Sequence, residues 1–335
     1  MLRVRKCHTG IGFLNDRKNM ISFGSDPEFI LKSNAGIQSA IGIVPGSKEK
    51  RHKAEGHSFF HDNVLAECSI KPAYSKEEAI ENFRECFQLY SELVKPYELW
   101  CKSSARFPSE ALKHPEALEM GCKREACAYE LDWVEPDETF FHRSNLRTAG
   151  GHIHLGHEIL KNQLVRIRTV RMMDLFLGIP SIFLDGDKAS KERKKIYGEA
   201  GRFREPLHGL EYRTLSNFWL ATPELVGLMY DLSNFTVEFV KDNRDEKYWN
   251  IDYKKLESDE FWNEDGDPVN CHSCTGYSSK RLRDAIKKSN KSTAIEGGFL
   301  KILENELPKH LYERISKHIG YSKVSENLFE WGITC

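Results

Sequence analysis

Apolar and polar positions alternate along several short stretches of this chain and recur at helical spacing along others. Alternation predicts strands over residues 21–31, over about 64–70 and over GGHIHLG at 150–156. A helix is expected after Ser75, which forms a capping-box pattern with Glu78. Its apolar positions fall on one helical face: Ile80, Phe83, Phe87, Tyr90 and Val94.

Further helices are predicted over about 158–178, from Thr222 and Pro223 onward, and beyond residue 280. Residues 103–148 contain short polar and aromatic stretches broken by prolines, which predicts irregular structure. The chain becomes more charged near residue 245. We therefore expect an N-terminal extension at 1–19, a main domain at 20–245, and a mostly helical segment at 246–335 packed on that domain.

Composition and charge exclude several classes of protein. The 335 residues include 19 Phe, 12 Tyr and 6 Trp, enough apolar area to disfavour disorder. With 49 basic and 50 acidic residues, the formal net charge is −1, so a broadly basic nucleic-acid-binding surface is not indicated. No apolar run reaches membrane-spanning length, and the amino terminus lacks the apolar core of a signal peptide. Nine cysteines, an odd number, then favour reduced thiols in the cytoplasm.

Polar side chains recur in pairs separated by one residue, a spacing that places both on one face of a strand. The pairs are Asp26 with Glu28, His152 with His154, and Glu211 with Arg213, and Glu67 lies alone in a fourth segment. Pro27, between the first two carboxylates, predicts a sheet edge, a bulge or a strand start. Each pair alone is typical of a solvated face or an ion pair. Four such segments in one sheet would form a polar concave site.

The residue types on this face indicate which chemistry it would support. Carboxylates and imidazoles without thiolates suit Mg²⁺ or Mn²⁺ better than structural Zn²⁺. Arg202, Arg204 and Arg213 are cations of the kind that bind phosphoryl oxygens. The sequence contains neither a P-loop nor a dinucleotide-binding glycine motif. The pattern therefore predicts a metal-dependent nucleoside triphosphate site of another type.

Four segments carry a resemblance to a known family: GSDPEF at 24–29, DNVLAE at 62–67, GGHIH at 150–154 and GRFREPLHGLEYRTLSNFWLATPEL at 201–225. They resemble the phage-type COOH-NH2 ligases of type 2, amidoligases related to glutamine synthetase and glutamate–cysteine ligase. The order of the motifs also matches, and the resemblance covers about residues 20–240. It departs from glutamine synthetase at Asp26, where that enzyme has a glutamate, and at Glu67 with Asp62, where two glutamates are expected.

The resemblance implies an α+β fold, a curved antiparallel sheet forming a partial barrel with helices on its outer face. It also implies ATP and Mg²⁺ (or Mn²⁺) on the concave face, where the acid is activated as an acyl phosphate and an amine displaces phosphate. The implied metal ligands are Asp26, Glu28, Glu67, His152 and Glu211. His154 would contact phosphate or the substrate carboxylate, and Arg202, Arg204 and Arg213 would hold the phosphoryl group. Lys48 and Lys50 are weaker phosphate or substrate candidates, or part of a solvated loop.

Two further patterns allow alternative interpretations. Cys271 and Cys274, with His272, are half of a zinc pattern that Cys122 and Cys127 would complete poorly, so reduced thiols are favoured. The basic run KASKERKK at 188–195 predicts a solvated surface or a flap over ATP.

The function classes left open are a ligase, a metal-dependent hydrolase using His152 and His154, and a non-catalytic protein on a ligase-like fold. For the ligase we expect small-molecule or peptide carboxylate and amine substrates, no direct nucleic-acid binding and no membrane association. The expected location is the cytoplasm, that of the host if the protein is phage-encoded. The sequence leaves the oligomeric state open.

Overall fold

A computed structural model of the chain describes residues 20–119, 124–135, 144–248, 279–319 and 327–333. The extension at 1–19, the Cys271/Cys274 pair with His272, and Cys122 lie outside the described residues. The strands are β1 (Ser22–Ser33), β2 (Gly36–Gln38), β3 (His52–Ala54), β4 (His57–Asp62), β5 (Leu65–Ser69), β6 (Glu98–Trp100), β7 (Ser104–Arg106), β8 (Glu125–Cys127), β9 (Asp132–Val134), β10 (Leu146–Thr148), β11 (Gly151–Gly156), β12 (Arg202–Arg204) and β13 (Gly209–Tyr212).

The helices are α1 (Lys76–Leu93), α2 (Gln163–Met173), α3 (Ile179–Leu184), α4 (Ser190–Arg193), α5 (Pro223–Lys241), α6 (Ser279–Lys288), α7 (Lys291–Glu296), α8 (Phe299–Glu306) and α9 (Lys309–Ser316). A π-helical turn, Asp174–Gly178, joins α2 to α3. The predicted strands at 21–31, 64–70 and 150–156 are confirmed, as are the helices that follow Ser75 and Thr222. The helix predicted at 158–178 is confirmed, although a short 3₁₀ turn precedes it and α3 extends it to Leu184.

Eleven of these strands form one large antiparallel sheet that does not close into a barrel, and helices complete the mixed α+β fold. The strand order is β3-β4-β5-β1-β11-β13-β12-β8-β9, and β2 and β6 also pair with β1. The predicted fold class is thereby confirmed. The remaining strands, β7 and β10, pair with each other in a small separate sheet.

One face of the large sheet packs on helices. Phe29 of β1 contacts Phe87 of α1, with the ring centroids 5.3 Å apart, and Phe23 lies 6.1 Å from Trp219. Helix α1 packs against α5, and α5 packs against α2. The main core thus includes Phe23, Phe29 and Leu31 of β1, with Ile153 of β11 and Tyr212 of β13. Because side chains alternate across a strand, the polar residues of these strands face the other way.

Two predictions about local structure are wrong. Pro27 lies inside β1, paired with Gly151, and β1 is an interior strand of the sheet. The ladder continues past the proline, since the backbone N–H of Glu28 donates to Gly150 O at 3.0 Å. Within 103–148, predicted to be irregular, the described residues also contain the short strands β7 to β10. Three-residue strands are too short to show the alternation on which the prediction depends.

A small apolar cluster covers one end of the polar face. Ile30 and Leu65, which share that face with Glu28 and Glu67, pack with Phe107, Ala117 and Ala149. Phe107 directly follows β7, Ala117 lies in a 3₁₀ turn, and Ala149 lies in the loop before β11. The acidic end of the site is therefore shielded from water by residues of the segment that was predicted to be irregular.

Candidate active site

Strand register brings most of the predicted site residues together on the polar face. Cross-strand partners in an antiparallel sheet point to the same side. The register pairs Glu67 with Glu28, Asp26 with His152, His154 with Glu211, and Glu211 with Arg204. Residues two apart on β1 and β11 connect these pairs. The structure thus forms one continuous polar row across β5, β1, β11, β13 and β12.

At the centre of the row, Asp26, His154 and Glu211 each present a ligand atom within 4.8 Å of the others. Asp26 Oδ1 lies 3.2 Å from His154 Nε2 and 3.2 Å from His152 Nδ1. Burial opposes ionisation of Asp26, but the two histidines lower its pKa well below the usual range. Burial would lower the pKa of His154, whereas the carboxylates of Asp26 and Glu211 raise it above its ordinary value. This group of three is a candidate metal centre.

Glu28 and Glu67 form the acidic end of the row. Burial, with the charges of Asp26 and Asp62, raises the pKa of Glu28 to about 7. The same causes, with Glu28 added, raise the pKa of Glu67 well above its ordinary value. Glu28 Oε2 accepts a hydrogen bond from Gly150 N at 2.6 Å. These carboxylates crowd each other, so positive charge would stabilise their ionised forms.

The two histidines differ in their surroundings. His152 is almost fully buried, and burial together with Arg213 lowers its pKa to about 3, so its ring is neutral. Its Nε2 lies 3.3 Å from the Tyr197 hydroxyl, and its Nδ1 lies 3.5 Å from Arg213 Nη1. Of the two rings, His154 is the one grouped with the carboxylates of the candidate metal centre.

The three arginines lie at the other end of the row. Arg213 contacts Glu211 through Nη1 and the Tyr197 hydroxyl through Nη2. Arg204 Nη1 lies 3.7 Å from Glu211 Oε1. Arg202 Nη1 is buried and lacks a hydrogen-bond partner within the described part of the chain. Together they form a cationic end beside the acidic centre, an arrangement that can bind the oxygens of a phosphoryl group.

Lys48 and Lys50 occupy different environments. Lys48 Nζ lies 2.5 Å from Asp62 Oδ2, and its charge lowers the pKa of Glu67, which places it near the acidic end. Lys50 is exposed.

Sequence reasoning missed several residues that contact the arginines, among them Glu125, Tyr197 and Glu199. Glu125, from the segment predicted to be irregular, accepts a hydrogen bond from Arg213 Nε at 2.9 Å. Tyr197 lies beyond the basic run and contacts both His152 and Arg213. A lone glutamate on a three-residue strand and a single tyrosine carry no spacing signal, so the sequence offered no means of finding them.

One interpretation of the basic run at 188–195 predicted a solvated surface. The structure shows that only part of the run is exposed. Lys188, Lys191 and Lys195 are exposed, but Arg193 and Lys194 are buried. Lys194 Nζ donates to Gly198 O and Thr214 O, each at 2.9 Å, and Arg193 donates to the carbonyls of Thr214 and Leu215. These cations therefore hold the backbone that follows Arg213.

The residues present suit a divalent cation of the magnesium or manganese type. Glu67 Oε2 is buried without a hydrogen-bond partner among the described residues. Asp26 Oδ1 and His154 Nε2, although 3.2 Å apart, are also buried and form no hydrogen bond of good geometry there. Such atoms are costly unless a ligand satisfies them. The donors are carboxylate oxygens and imidazole nitrogens. Burial and neighbouring carboxylates raise the pKa values of Glu28, Glu67 and Glu211, so a bound cation would favour their ionised forms.

Comparison with known proteins finds a matching family model. None of the helices in the described residues is long and apolar enough to cross a membrane. No curated protein matches the chain. Residues 131–256 match the family model of the phage phiEco32-like COOH.NH2 ligases of type 2. This stretch contains the histidine pair, the three arginines and Glu211, and the family name describes enzymes that join a carboxylate to an amine. The resemblance seen in the sequence is thus confirmed by the match of residues 131–256 to the model of this carboxylate–amine ligase family.

Proposed function

We propose that the chain is an ATP-dependent ligase that forms an amide through an acyl-phosphate intermediate, with Mg²⁺ or Mn²⁺ bound at the site. The observation that carries this proposal is the continuous row of carboxylates, imidazoles and guanidinium groups produced by the strand register. Attack of a carboxylate on a triphosphate brings negative charges together. A face with an acidic, metal-binding centre and a cationic end suits that chemistry.

Each group on the face has a proposed role. Asp26, His154 and Glu211 would hold one cation, and Glu28 with Glu67 would supply further carboxylate ligands. A bound cation would neutralise phosphate charge and polarise the phosphoryl group. Arg202, Arg204 and Arg213 would bind the phosphoryl oxygens as their charge shifts during transfer. His152, a neutral ring that lies between Asp26 and Tyr197, would orient Asp26 more than bind the cation.

The geometry supports a ligase more than a hydrolase built on the two histidines. In such a hydrolase both rings would bind one metal. Here His152 Nδ1 and His154 Nε2 both face Asp26 Oδ1, while Arg213 Nη1 lies 3.5 Å from His152 Nδ1. Of the two rings, His154 is the one whose nitrogen lies in the group of ligand atoms that could hold a cation in the described part of the chain, so the pair does not form a two-histidine site. The substrates we propose are small-molecule or peptide acids and amines, with the reaction in the cytoplasm.

Thermal unfolding with a non-hydrolysable ATP analogue and Mg²⁺ tests the nucleotide site. At about 100 times its Kd, a ligand adds roughly 2.7 kcal/mol of stability, which raises Tm by a few degrees. We expect this rise in the wild type and in Glu130→Gln, an exposed control. We expect its loss in Glu211→Gln. A shift with Mn²⁺ or Zn²⁺ alone and none with nucleotide would instead favour a hydrolase.

Turnover tests the chemical step. With ATP, Mg²⁺ and a panel of amino acids and short peptides, hydroxylamine should trap an acyl phosphate as a hydroxamate in the presence of the correct acid. ADP should form in equal amount. Nucleotide binding without ADP formation across the panel would favour a non-catalytic protein on a ligase-like fold.

A further inference from the structure

An acidic side chain outside the family-matched segment lies between two of the arginines. Glu125 Oε2 accepts a hydrogen bond from Arg213 Nε at 2.9 Å, and Glu125 Oε1 lies 3.7 Å from Arg202 Nε. The side chains are 14%, 3% and 11% exposed, in the order Glu125, Arg213, Arg202. We propose that Glu125 is a positioning residue that fixes these two guanidinium groups relative to each other for phosphoryl transfer. This inference rests on the proposed function.

The local strand pairing explains how Glu125 reaches this place. β8 pairs with β12, with Cys127 opposite Arg202 and Ala126 opposite Phe203. The strand that carries Glu125 is therefore hydrogen-bonded directly to the strand that carries two of the arginines. The site lies in the sheet rather than on a loop, and a rigid element holds catalytic geometry more closely than a loop does.

Electrostatics gives the carboxylate its role. Two guanidinium groups within reach of one carboxylate are close enough to repel each other, and burial weakens the screening of that repulsion. Glu125 uses a different oxygen for each arginine, so its charge offsets the repulsion and its geometry relates the two groups. Both contacts involve Nε. The outer nitrogen Nη1 of Arg202 is left buried and without a hydrogen-bond partner in the described residues, available to a phosphoryl oxygen.

Neighbouring groups hold the other ends of the same side chains. Glu199 Oε2 contacts Arg202 Nη2 at 2.5 Å, and Lys287 Nζ lies 2.5 Å from Glu199 Oε1. The Tyr197 hydroxyl contacts Arg213 Nη2. With Glu125 removed, Arg202 would be drawn toward Glu199, and Arg213 toward Glu211 and Tyr197. The two groups would then separate.

The test compares Glu125→Gln, which removes the charge at nearly constant shape, with Glu130→Gln on the same hairpin as a control. ADP formation from ATP and Mg²⁺ is measured per folded molecule. We expect kcat to fall about 10- to 100-fold in Glu125→Gln while KM for ATP changes less than about threefold, because displaced groups act mainly on the transition state. Glu125→Asp keeps the charge but moves it back by one methylene. Its kcat should lie between those of the wild type and Glu125→Gln. If the Gln variant does not fold, the Asp variant alone decides.

A second measurement needs no nucleotide. The Nε–H groups of Arg202 and Arg213 should give exchange-protected signals in ¹⁵N NMR spectra, assigned with Arg202→Lys and Arg213→Lys. Glu125→Gln should move or remove both signals, and Glu130→Gln should leave them. Unmoved signals, or wild-type kcat in the folded Asp and Gln variants, would overturn the inference. Signals that move as expected in a protein that forms no ADP would refute the proposed function and retain the positioning role.

Discussion

At the scale of single residues, the site shows how neighbours separate the proton affinities of similar carboxylates. Asp26 lies between two imidazoles, and its pKa is lowered well below the usual range despite burial. Glu28 is two residues away, but burial and the charges of Asp26 and Asp62 raise its pKa to about 7. Burial and Asp26 likewise raise the pKa of Glu211 to about 7. One face thus holds an acid with a lowered pKa beside acids that ionise near neutral pH.

The raised pKa of Glu28 predicts a pH-dependent cost of folding. Its folded value of about 7 exceeds the ordinary 4.5, so the folded state binds more protons between these values. Stability from this group is therefore present at low pH and lost as pH rises toward 7 and above. Glu28→Gln cannot ionise at this position. The free energy of unfolding of this variant, relative to that of the wild type, should therefore increase by about 2 kcal/mol from pH 5 to pH 8. Urea unfolding with a chelator present measures this, with Glu130→Gln as control; a constant difference would refute the prediction.

Cation binding should release protons from the same carboxyl groups. Near pH 7, Glu28 and Glu211 are each partly protonated, and a ligand carboxylate must be ionised. Mn²⁺ binding at pH 7 should therefore release about one proton in total, and affinity should fall as pH decreases from 8 to 6. Calorimetry in buffers of different ionisation enthalpy measures the release, which Glu28→Gln should reduce. Equal affinity at both pH values would contradict this prediction.

At the scale of elements, some features could be predicted from the sequence because their signals are local. The i and i+2 spacing of Asp26 with Glu28, and of His152 with His154, follows from strand geometry alone. Glu78 shows the limit of such rules. Its backbone N–H donates to Ser75 Oγ at 3.0 Å as predicted, but its carboxylate accepts from Tyr74 N at 2.7 Å, one residue earlier than in the usual capping box.

Other features could not be predicted because they depend on pairing between distant segments. Glu125 joins the site through the register of β8 with β12, and nothing in the three residues of β8 specifies that partner. Lys194 belongs to a run of charged residues of a kind that is ordinarily solvated. It is buried because two carbonyl oxygens beyond the run accept hydrogen bonds from its ammonium group. In both cases the decisive contact is non-local. The role of each residue in the site, unlike the strand pattern, stays a prediction.

The N-terminal cap of α1 offers a test at this scale. Ser75→Ala removes the acceptor for Glu78 N and should destabilise the protein by about 1 kcal/mol. Ser91→Ala, within the same helix, should be neutral or slightly stabilising, since alanine is the better helix former. Urea denaturation compares the two. Equal effects of the two variants would show that the cap contributes nothing to stability.

At the scale of the whole molecule, the described part of the C-terminal segment packs into the same core as the sheet. Trp331 lies 5.4 Å from Phe87 of α1, and its indole N–H donates to Leu220 O at 2.8 Å. Arg314 of α9 contacts Glu224 and Asp231 of α5, at 2.7 and 2.6 Å. These contacts join the last helices to the helices that pack behind the polar face.

This packing predicts that the sheet and the C-terminal helices unfold together. Leu303 of α8 is fully buried in the main core, so Leu303→Ala should cost about 2–5 kcal/mol, whereas the exposed Lys301→Ala on the same helix should cost little. In Leu303→Ala, hydrogen exchange should accelerate equally in α8 and in β1, because a shared core transmits the loss to the whole cooperative unit. Faster exchange in α6 to α9 alone would contradict this prediction and show that these helices unfold as a separate unit. The sheet that carries the polar face would then be stable without them.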